Sequence, residues 1–280
     1  MGHIYYNGRF YESGEPLVTF CNRSFRYGDS LFETIHAANG AVQLFDSHYN
    51  RLLKSMKVLK MQMPDNFTPE GLEKDIHRLL IKNKLFKGAR VTLKVFRNGA
   101  GFYIPGNNDI SYMITAGKLE TERYELNKNG LQAGVFRDIL KPKNILSPLK
   151  SSNSLIYVMA GIYKNEQQLD DCIILNENNN VCECISSNIF LVKQGQIYTP
   201  SLEEGCVEGV MRECIVRIAV KRGFTVFDDC IIRFDELLDA EEVFITNAIK
   251  GIHWIKGIQN VRYYNKTSKE LLHALNEAIF

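Results

Sequence analysis

Long apolar runs are missing from this chain of 280 residues: no window reaches the ~20 apolar residues that a membrane-spanning helix requires. An excess of charge of one sign is missing too. Lys and Arg number 34 against 32 Asp and Glu, for a formal net charge of +2. The basic residues are scattered, which excludes the dense basic run expected of a nucleic-acid or anionic-membrane binder. There is no CxxC pair among the seven cysteines, Cys21, Cys172, Cys182, Cys184, Cys206, Cys214 and Cys230. Cys182 and Cys184 lack a second ligand pair at zinc-like spacing, so no metal site is expected. An odd number of cysteines, most in apolar stretches, reads as reduced and buried thiols of a cytosolic protein. Residues Met1–Tyr6 hold no charged segment followed by an apolar stretch, and Tyr6 stands where a myristoylation site needs Ser or Thr. A cytoplasmic location is the expectation. What remains is ordinary for a soluble globular protein, with 45% hydrophobic and 24% charged residues and length enough for a sizeable core.

Patterning divides the chain. Ile4–Tyr6 and Arg9–Tyr11 flank Asn7-Gly8, and Leu31–His36 and Val42–Leu44 flank Asn39-Gly40, so two hairpins are predicted. Asp46 is placed to cap a helix carrying Leu52, Leu53, Met56 and Leu59, and Leu72, Ile76, Leu79 and Leu80 share one face of a helix over 69–84. Two strands, 89–96 and 110–116, complete a small α+β domain over residues 1–118. Residues 119–129 are polar and irregular and read as a connection. From 130 to 280, short strands over 131–136, 172–175, 181–184, 188–192, 196–198, 224–227 and 243–246 mix with helices over 153–165, 208–222 and 268–279. That mixture fits a barrel-like second domain better than a doubly wound one. Gly99 and Gly101 do not make a dinucleotide fingerprint, because the third glycine is missing and no helix follows before Pro105.

The chemistry lies in three blocks. Glu183-Cys184-Ile185-Ser186-Ser187-Asn188-Ile189-Phe190 is followed after six residues by Ile197-Tyr198-Thr199, and after seven more by Val207-Glu208-Gly209-Val210-Met211-Arg212. Gly209 precedes a strong helix, whose N-terminus offers free backbone N–H groups to an anion. Three blocks in register resemble the signature of the class IV aminotransferases, the group of branched-chain and D-amino-acid aminotransferases and aminodeoxychorismate lyases.

The resemblance implies a two-domain fold: a smaller N-terminal α/β sandwich and a larger C-terminal pseudo-barrel, with pyridoxal 5'-phosphate at their interface. It implies that Glu183 keeps the ring nitrogen of the cofactor protonated. Ser187 and Asn188 belong to the same cofactor-binding block. Main-chain donors at Gly209, Val210 and Met211 are implied for the phosphate, with Arg51 from the segment His48-Tyr49-Asn50-Arg51 and with Thr246 and Asn247. His48 reads as a packing or hydrogen-bonding residue. For the lysine that carries the cofactor, Lys141 and Lys143 flank a proline in a polar stretch that reads as an exposed loop. Lys150 leads into the helix near Asn153 and lies 33 residues before Glu183. Lys150-Ser151-Ser152-Asn153 resembles the Lys-x-x-Asn of the D-amino-acid aminotransferase and lyase branches, so Lys150 is the expected catalytic lysine. Phe32, Arg97 and Tyr103 fall in segments that line the substrate pocket in the family. Arg97 is either a residual carboxylate partner or an exposed arginine at a strand end. Transamination between an amino acid and a 2-oxo acid is the first expected activity. Cleavage of aminodeoxychorismate to 4-aminobenzoate and pyruvate is the alternative, and a non-catalytic cofactor-binding scaffold is a third reading. The implied partners are these small molecules and a second copy of the chain in a homodimer, with neither nucleic acid nor membrane.

Overall fold

The computed structural model describes residues 2–280, which divide into two compact units. The first runs to Arg123 and also takes in Lys150–Asn153; the second holds Tyr124–Leu149 and Ser154–Phe280. No helix among the described residues is long and apolar enough to cross a membrane.

In the first unit, β1 (His3–Tyr6) and β2 (Arg9–Glu12) form the first hairpin, α1 (Arg23–Tyr27) follows, and β3 (Ser30–Ala38) and β4 (Ala41–Val42) form the second. Positive φ at Asn7 and Gly8 (44° and 90°) and at Asn39 and Gly40 (52° and 81°) gives both turns the twist that antiparallel strands need. Helices α2 (Phe45–Val58) and α3 (Pro69–Lys82) precede β5 (Ala89–Arg97) and β6 (Ile110–Lys118). The strands make one antiparallel sheet in the order β2-β1-β6-β5-β3-β4. One of its faces buries Leu31, Ile35, Val91, Leu93 and Ile114 with Leu52 and Met56 of α2 and Leu72, Ile76 and Leu79 of α3. Asp46 does not cap α2. The N-cap is Leu44 in a left-handed conformation, φ 53°, because the hairpin runs straight into the helix; Asp46 lies in the first turn, where its charge favours the helix dipole. Thr68 caps α3 by accepting from the Gly71 N–H at 3.1 Å.

The second unit opens with β7 (Leu131–Lys141), α4 (Leu155–Glu166), β8 (Asp171–Asn176), β9 (Val181–Cys184), β10 (Asn188–Lys193) and β11 (Gln196–Pro200). It continues with α5 (Val210–Lys221), β12 (Val226–Cys230), α6 (Phe234–Leu238), β13 (Glu242–Asn247), β14 (Gly251–Ile258), β15 (Val261–Arg262) and α7 (Lys266–Ile279). The strands form one mixed sheet in the order β12-β11-β10-β13-β14-β7-β8-β9, with β15 paired to β14. Its two ends come together: the Val181 N–H at β9 donates to the Ile232 carbonyl just after β12, at 2.8 Å. The sheet therefore curls into a half-barrel, as the pseudo-barrel expectation required. Its inside is packed with Ile173, Leu175, Ile189, Val243, Ile245 and Ile255.

Three histidines share one electrostatic state. Burial pushes His36 and His253 down to about 4, and His48 also lies below its ordinary value. All three are neutral in the fold, whereas in the unfolded chain they take up protons near pH 6.5. The contribution of His36 and His253 is present above pH 6.5 and is lost as pH falls toward 4, and that of His48 is lost in the same direction. The urea midpoint is therefore expected to fall continuously between pH 6.5 and 4.5, and His253→Asn should reduce that slope. A midpoint flat across this window would contradict the neutral assignment.

Candidate functional site

Glu183, on β9, is buried and held from three sides. Its Oε1 accepts from Lys141 Nζ and from the Tyr157 hydroxyl at 2.6 Å, and its Oε2 accepts from the Val207 N–H at 2.9 Å. Lys141 Nζ also donates to the Tyr157 hydroxyl at 2.8 Å. Burial and the neighbouring carboxylate push the Tyr157 phenol far above its ordinary value, so it remains a donor. Lys141 is not in an exposed loop. It ends β7 with 5% exposure, because the Glu183 charge compensates its desolvation.

Val207 leads to the turn before α5. Asn188 Nδ2 donates to the Val207 carbonyl at 2.9 Å, and a Cβ on Gly209 would fall 1.8 Å from Asn188 Oδ1. Only glycine allows this approach. Gly209 is the N-cap of α5 and supplies no side-chain acceptor, so the first-turn N–H groups at Val210 and Met211 lack a side-chain cap. Thr246 lies directly opposite Asn188 in the β10–β13 register, which puts both side chains on one face. The Thr246 hydroxyl is buried with no hydrogen-bond partner among the described residues. Beside it, Asn247 Nδ2 donates to Ser187 Oγ at 2.9 Å, and Asn247 Oδ1 accepts from the Ile249 and Lys250 N–H groups. Glu183, Ser187, Asn188, the turn at 207–211, Thr246 and Asn247 thus form one constellation in the second unit.

The first unit holds another. Glu33 on β3 accepts from Arg51 Nε at 2.8 Å and from Arg51 Nη2, and it pairs with His48 Nδ1 at 2.6 Å. Burial works to raise the Glu33 carboxyl, but the Arg51 charge and the His48 hydrogen bond prevail and hold it at about 2. The carboxylate is ionised and His48 is neutral, so Nδ1 is the donor. Lys150 sits against the same strand. Its carbonyl accepts from the Phe32 N–H at 3.0 Å, and its Nζ lies 4.3 Å from the centre of the Phe32 ring. Ser152 N–H donates to the Ser30 carbonyl at 3.0 Å, and Ser30 Oγ donates to Ser152 Oγ at 2.7 Å. Residues 150–152 therefore pair with the start of β3.

Arg97 is buried rather than exposed at a strand end. Nε donates to Asp29 at 3.0 Å, Nη2 to the Leu59 carbonyl at 2.7 Å, and Nη1 to Asn108. Asp29 also takes Arg23 Nε at 2.8 Å, and Arg23 Nη1 reaches the Phe102 carbonyl at 2.6 Å. This network holds the base of the loop after β5. Tyr103, 89% exposed, lies on that loop with its ring against Tyr27.

The amino-transferase class IV family pattern matches residues 30–258. The chain belongs to the class IV aminotransferase family. It is 28% identical over 275 residues to a putative branched-chain-amino-acid aminotransferase of Methanocaldococcus jannaschii, covering 98% of this chain and 94% of that one. An aminodeoxychorismate lyase of Vibrio harveyi is 27% identical, covering 89% and 91%. A D-alanine aminotransferase of Listeria monocytogenes is 26% identical, covering 90% and 87%. Among solved structures, a T.th. branched-chain amino acid aminotransferase with pyridoxamine 5'-phosphate has a TM-score of 0.88 at 25% identity, covering 99% of this chain and 93% of that one.

Class IV aminotransferases use pyridoxal phosphate, and the residues of this family member fit a phosphorylated anionic group. An orphaned buried hydroxyl at Thr246, N–H groups at Val210 and Met211 without a side-chain cap and a close approach that needs Gly209 are donors of the kind a phosphate accepts from. Sequence reasoning missed Lys141, Tyr157 and the pairing of Glu33 with Arg51. The Phe32-Glu33 pair was the one local signal. Lys141 and Tyr157 meet Glu183 only through the fold.

Breaking the buried pair at one end should cost on the order of 3 kcal/mol, because it strands a charge. Lys141→Met is expected to lower unfolding free energy by that order, and adding Glu183→Gln to restore a large part of it. Equal stabilities of the single and double variants in urea unfolding would show that the pair is not coupled.

Proposed function

We propose that this protein transfers an amino group between an amino acid and a 2-oxo acid, with pyridoxal 5'-phosphate as cofactor and Lys150 as the catalytic lysine. The observation that carries the reading is the second-unit constellation. A buried carboxylate, Glu183, is tied through Val207 to an uncapped helix N-terminus beside an unsatisfied Thr246 hydroxyl. In this reading Gly209, Val210, Met211 and Thr246 hold the cofactor phosphate, assisted by Arg51. Ser187, Asn188 and Asn247 keep the neighbouring backbone in place. Glu183 would keep the ring nitrogen protonated. The bound cofactor supplies an electron sink for the charge left when the α proton departs. Lys150 Nζ takes that proton and returns it one position further on. The Glu33 pairing fixes the plane of the Arg51 guanidinium, and Phe32 gives Lys150 Nζ an apolar seat. The reading includes a homodimer.

Lysis of aminodeoxychorismate is the second reading. It is supported by the lyase of Vibrio harveyi, 27% identical to this chain against 28% and 26% for the two aminotransferases. Both reactions begin with the same amino group on the same cofactor, so the residues above serve either.

Two measurements test the assignment. Purified Lys150→Ala is expected to lose the visible absorbance that a cofactor bound to lysine gives; retention of that band would sink the role of Lys150. Mixing the wild-type protein with single L- and D-amino acids should convert the band to that of pyridoxamine phosphate, with release of the matching 2-oxo acid. No conversion with any donor, together with pyruvate formed from aminodeoxychorismate, would decide for the lyase.

A further inference from the structure

Residues 150–153 belong to the first unit although the chain on either side of them belongs to the second. Lys150 lies in no helix or strand, and the stretch pairs with β3 over three residues only: Lys150 with Phe32, Ser151 with Leu31 and Ser152 with Ser30. So short a pairing is marginal by itself. Opposite residues of antiparallel strands share a face, and so do alternate residues along one strand. Ser30, Phe32, Lys150 and Ser152 therefore all point to one side. The contact of Lys150 Nζ with the Phe32 ring lies on that side, and so does the contact of Ser30 Oγ with Ser152 Oγ.

Ser30 is fully buried, and its hydroxyl is used on both sides. It donates to Ser152 Oγ at 2.7 Å, and Ser24 Oγ of α1 lies 2.8 Å away on the other. A hydroxyl has one proton, so with that of Ser30 committed to Ser152 the Ser24 hydroxyl donates to Ser30. A line of hydroxyls thus runs from α1 to the stretch that carries Lys150, and bonds in such a line strengthen one another. A second contact follows the same path. Gly28, which ends α1 with φ 65°, approaches Asn153 so closely that a Cβ would fall 2.6 Å from Asn153 Oδ1. α1 is itself fixed. The Asn22 side chain caps it by accepting from the Phe25 N–H at 3.2 Å, and Arg23 donates to Asp29 at 2.8 Å and to the Phe102 carbonyl at 2.6 Å.

We propose that Ser30 is a positioning residue for Lys150, passing the fixed place of α1 through the Ser24, Ser30 and Ser152 hydroxyls to the main chain of the lysine. The inference rests on the reading of Lys150 as the catalytic lysine. An amine bonds an aldehyde by adding to the carbonyl carbon, after which the carbonyl oxygen leaves as water. The rate of that addition falls steeply when the two groups are misplaced. Anchoring Ser152 on the face that carries the amine limits rocking of the stretch and gives the amine one orientation.

The experiment uses the full chain freed of cofactor and two probes. Saturating pyridoxal 5'-phosphate gives the rate at which the visible band appears. Pyridoxamine 5'-phosphate lacks the aldehyde, so its dissociation constant, read by equilibrium dialysis, reports binding without the bond to lysine. Ser30→Ala and Ser152→Ala are each expected to slow band formation at least ~10-fold. Their affinity for pyridoxamine phosphate should stay within about 3-fold of wild type. Ser152→Thr, which keeps the hydroxyl, should also stay within about 3-fold of the wild-type rate. The double variant Ser30→Ala/Ser152→Ala should be no slower than the slower single one, because both remove the same contact. Unchanged rates in both single variants overturn the proposal. So does a parallel loss of pyridoxamine phosphate affinity, which would assign the serines to packing alone, and so do rate losses that multiply in the double variant. If Ser30→Ala does not fold, Ser24→Ala at the half-buried end of the line replaces it, with slowing of about 3-fold expected and an unchanged rate decisive against the proposal. Failure of the Lys150 reading is seen separately, as a visible band that survives Lys150→Ala.

Discussion

The carboxylate of Glu183 is the constraint on which the second unit's site depends. A buried carboxylate is tolerated only when its lone pairs are used and its charge is balanced. Here the balancing groups come from three elements: Lys141 from the end of β7, Tyr157 from α4 and the Val207 N–H from the turn before α5. Satisfying one charge thus fixes where a strand ends, where a helix docks and where the next helix begins. Gly209 follows Val207 by two residues, so the position of the α5 N-terminus derives from the same hydrogen bond. Asn188 holds the Val207 carbonyl from the other side and, through its register with Thr246, adds β13 to the arrangement.

The first unit repeats this logic with different residues. Glu33 is as buried as Glu183, and its partners Arg51 and His48 come from a single helix three residues apart. The spacing puts both on one face of α2, so one helix satisfies the whole carboxylate. The consequence is a fixed guanidinium on a helix that packs against β3. The two carboxylates differ in what they compensate. Glu33 draws its balance from an arginine that stays charged at any working pH. Glu183 draws its balance from Lys141, with the Tyr157 phenol as a neutral donor in the place that His48 takes at Glu33.

Much of this was legible in the sequence, for identifiable reasons. The hairpins were announced by Asn-Gly turns, and α3 by a periodic apolar face. The half-barrel followed from the density of short strands, and the Glu183 to Arg212 register pointed to residues that the second unit brings together because they are close in sequence. Contacts made only by the fold were not legible. Lys141-Pro142-Lys143 looks like a solvated loop, since nothing nearby in sequence shows that Glu183 will lie against Lys141. Arg97 could be read as a carboxylate partner or as an exposed arginine, because the Asp29, Asn108 and Leu59 that bury it come from other segments. The two five-residue helices α1 and α6 are too short to show a period, and the turn before β14 is marked only by Asn247 and Gly251, too sparse a signal to read by itself.

Lys150 shows where the reason read from the sequence and the local structure diverge. By sequence it stands out as the lysine that leads into a helix. In the structure that helix begins only at Leu155, and residues 150–152 are an extended stretch hydrogen-bonded to the start of β3. The backbone of Lys150 is anchored by Phe32, and the side chain returns to the ring of that same residue. A long, flexible lysine loses much of its freedom when its main chain and its amine are referred to one partner. Phe32 in turn is held by its register with Lys94. The orientation of the amine is therefore a property of the β3–β5 sheet, and a change on β5 should be felt at Lys150 without touching it.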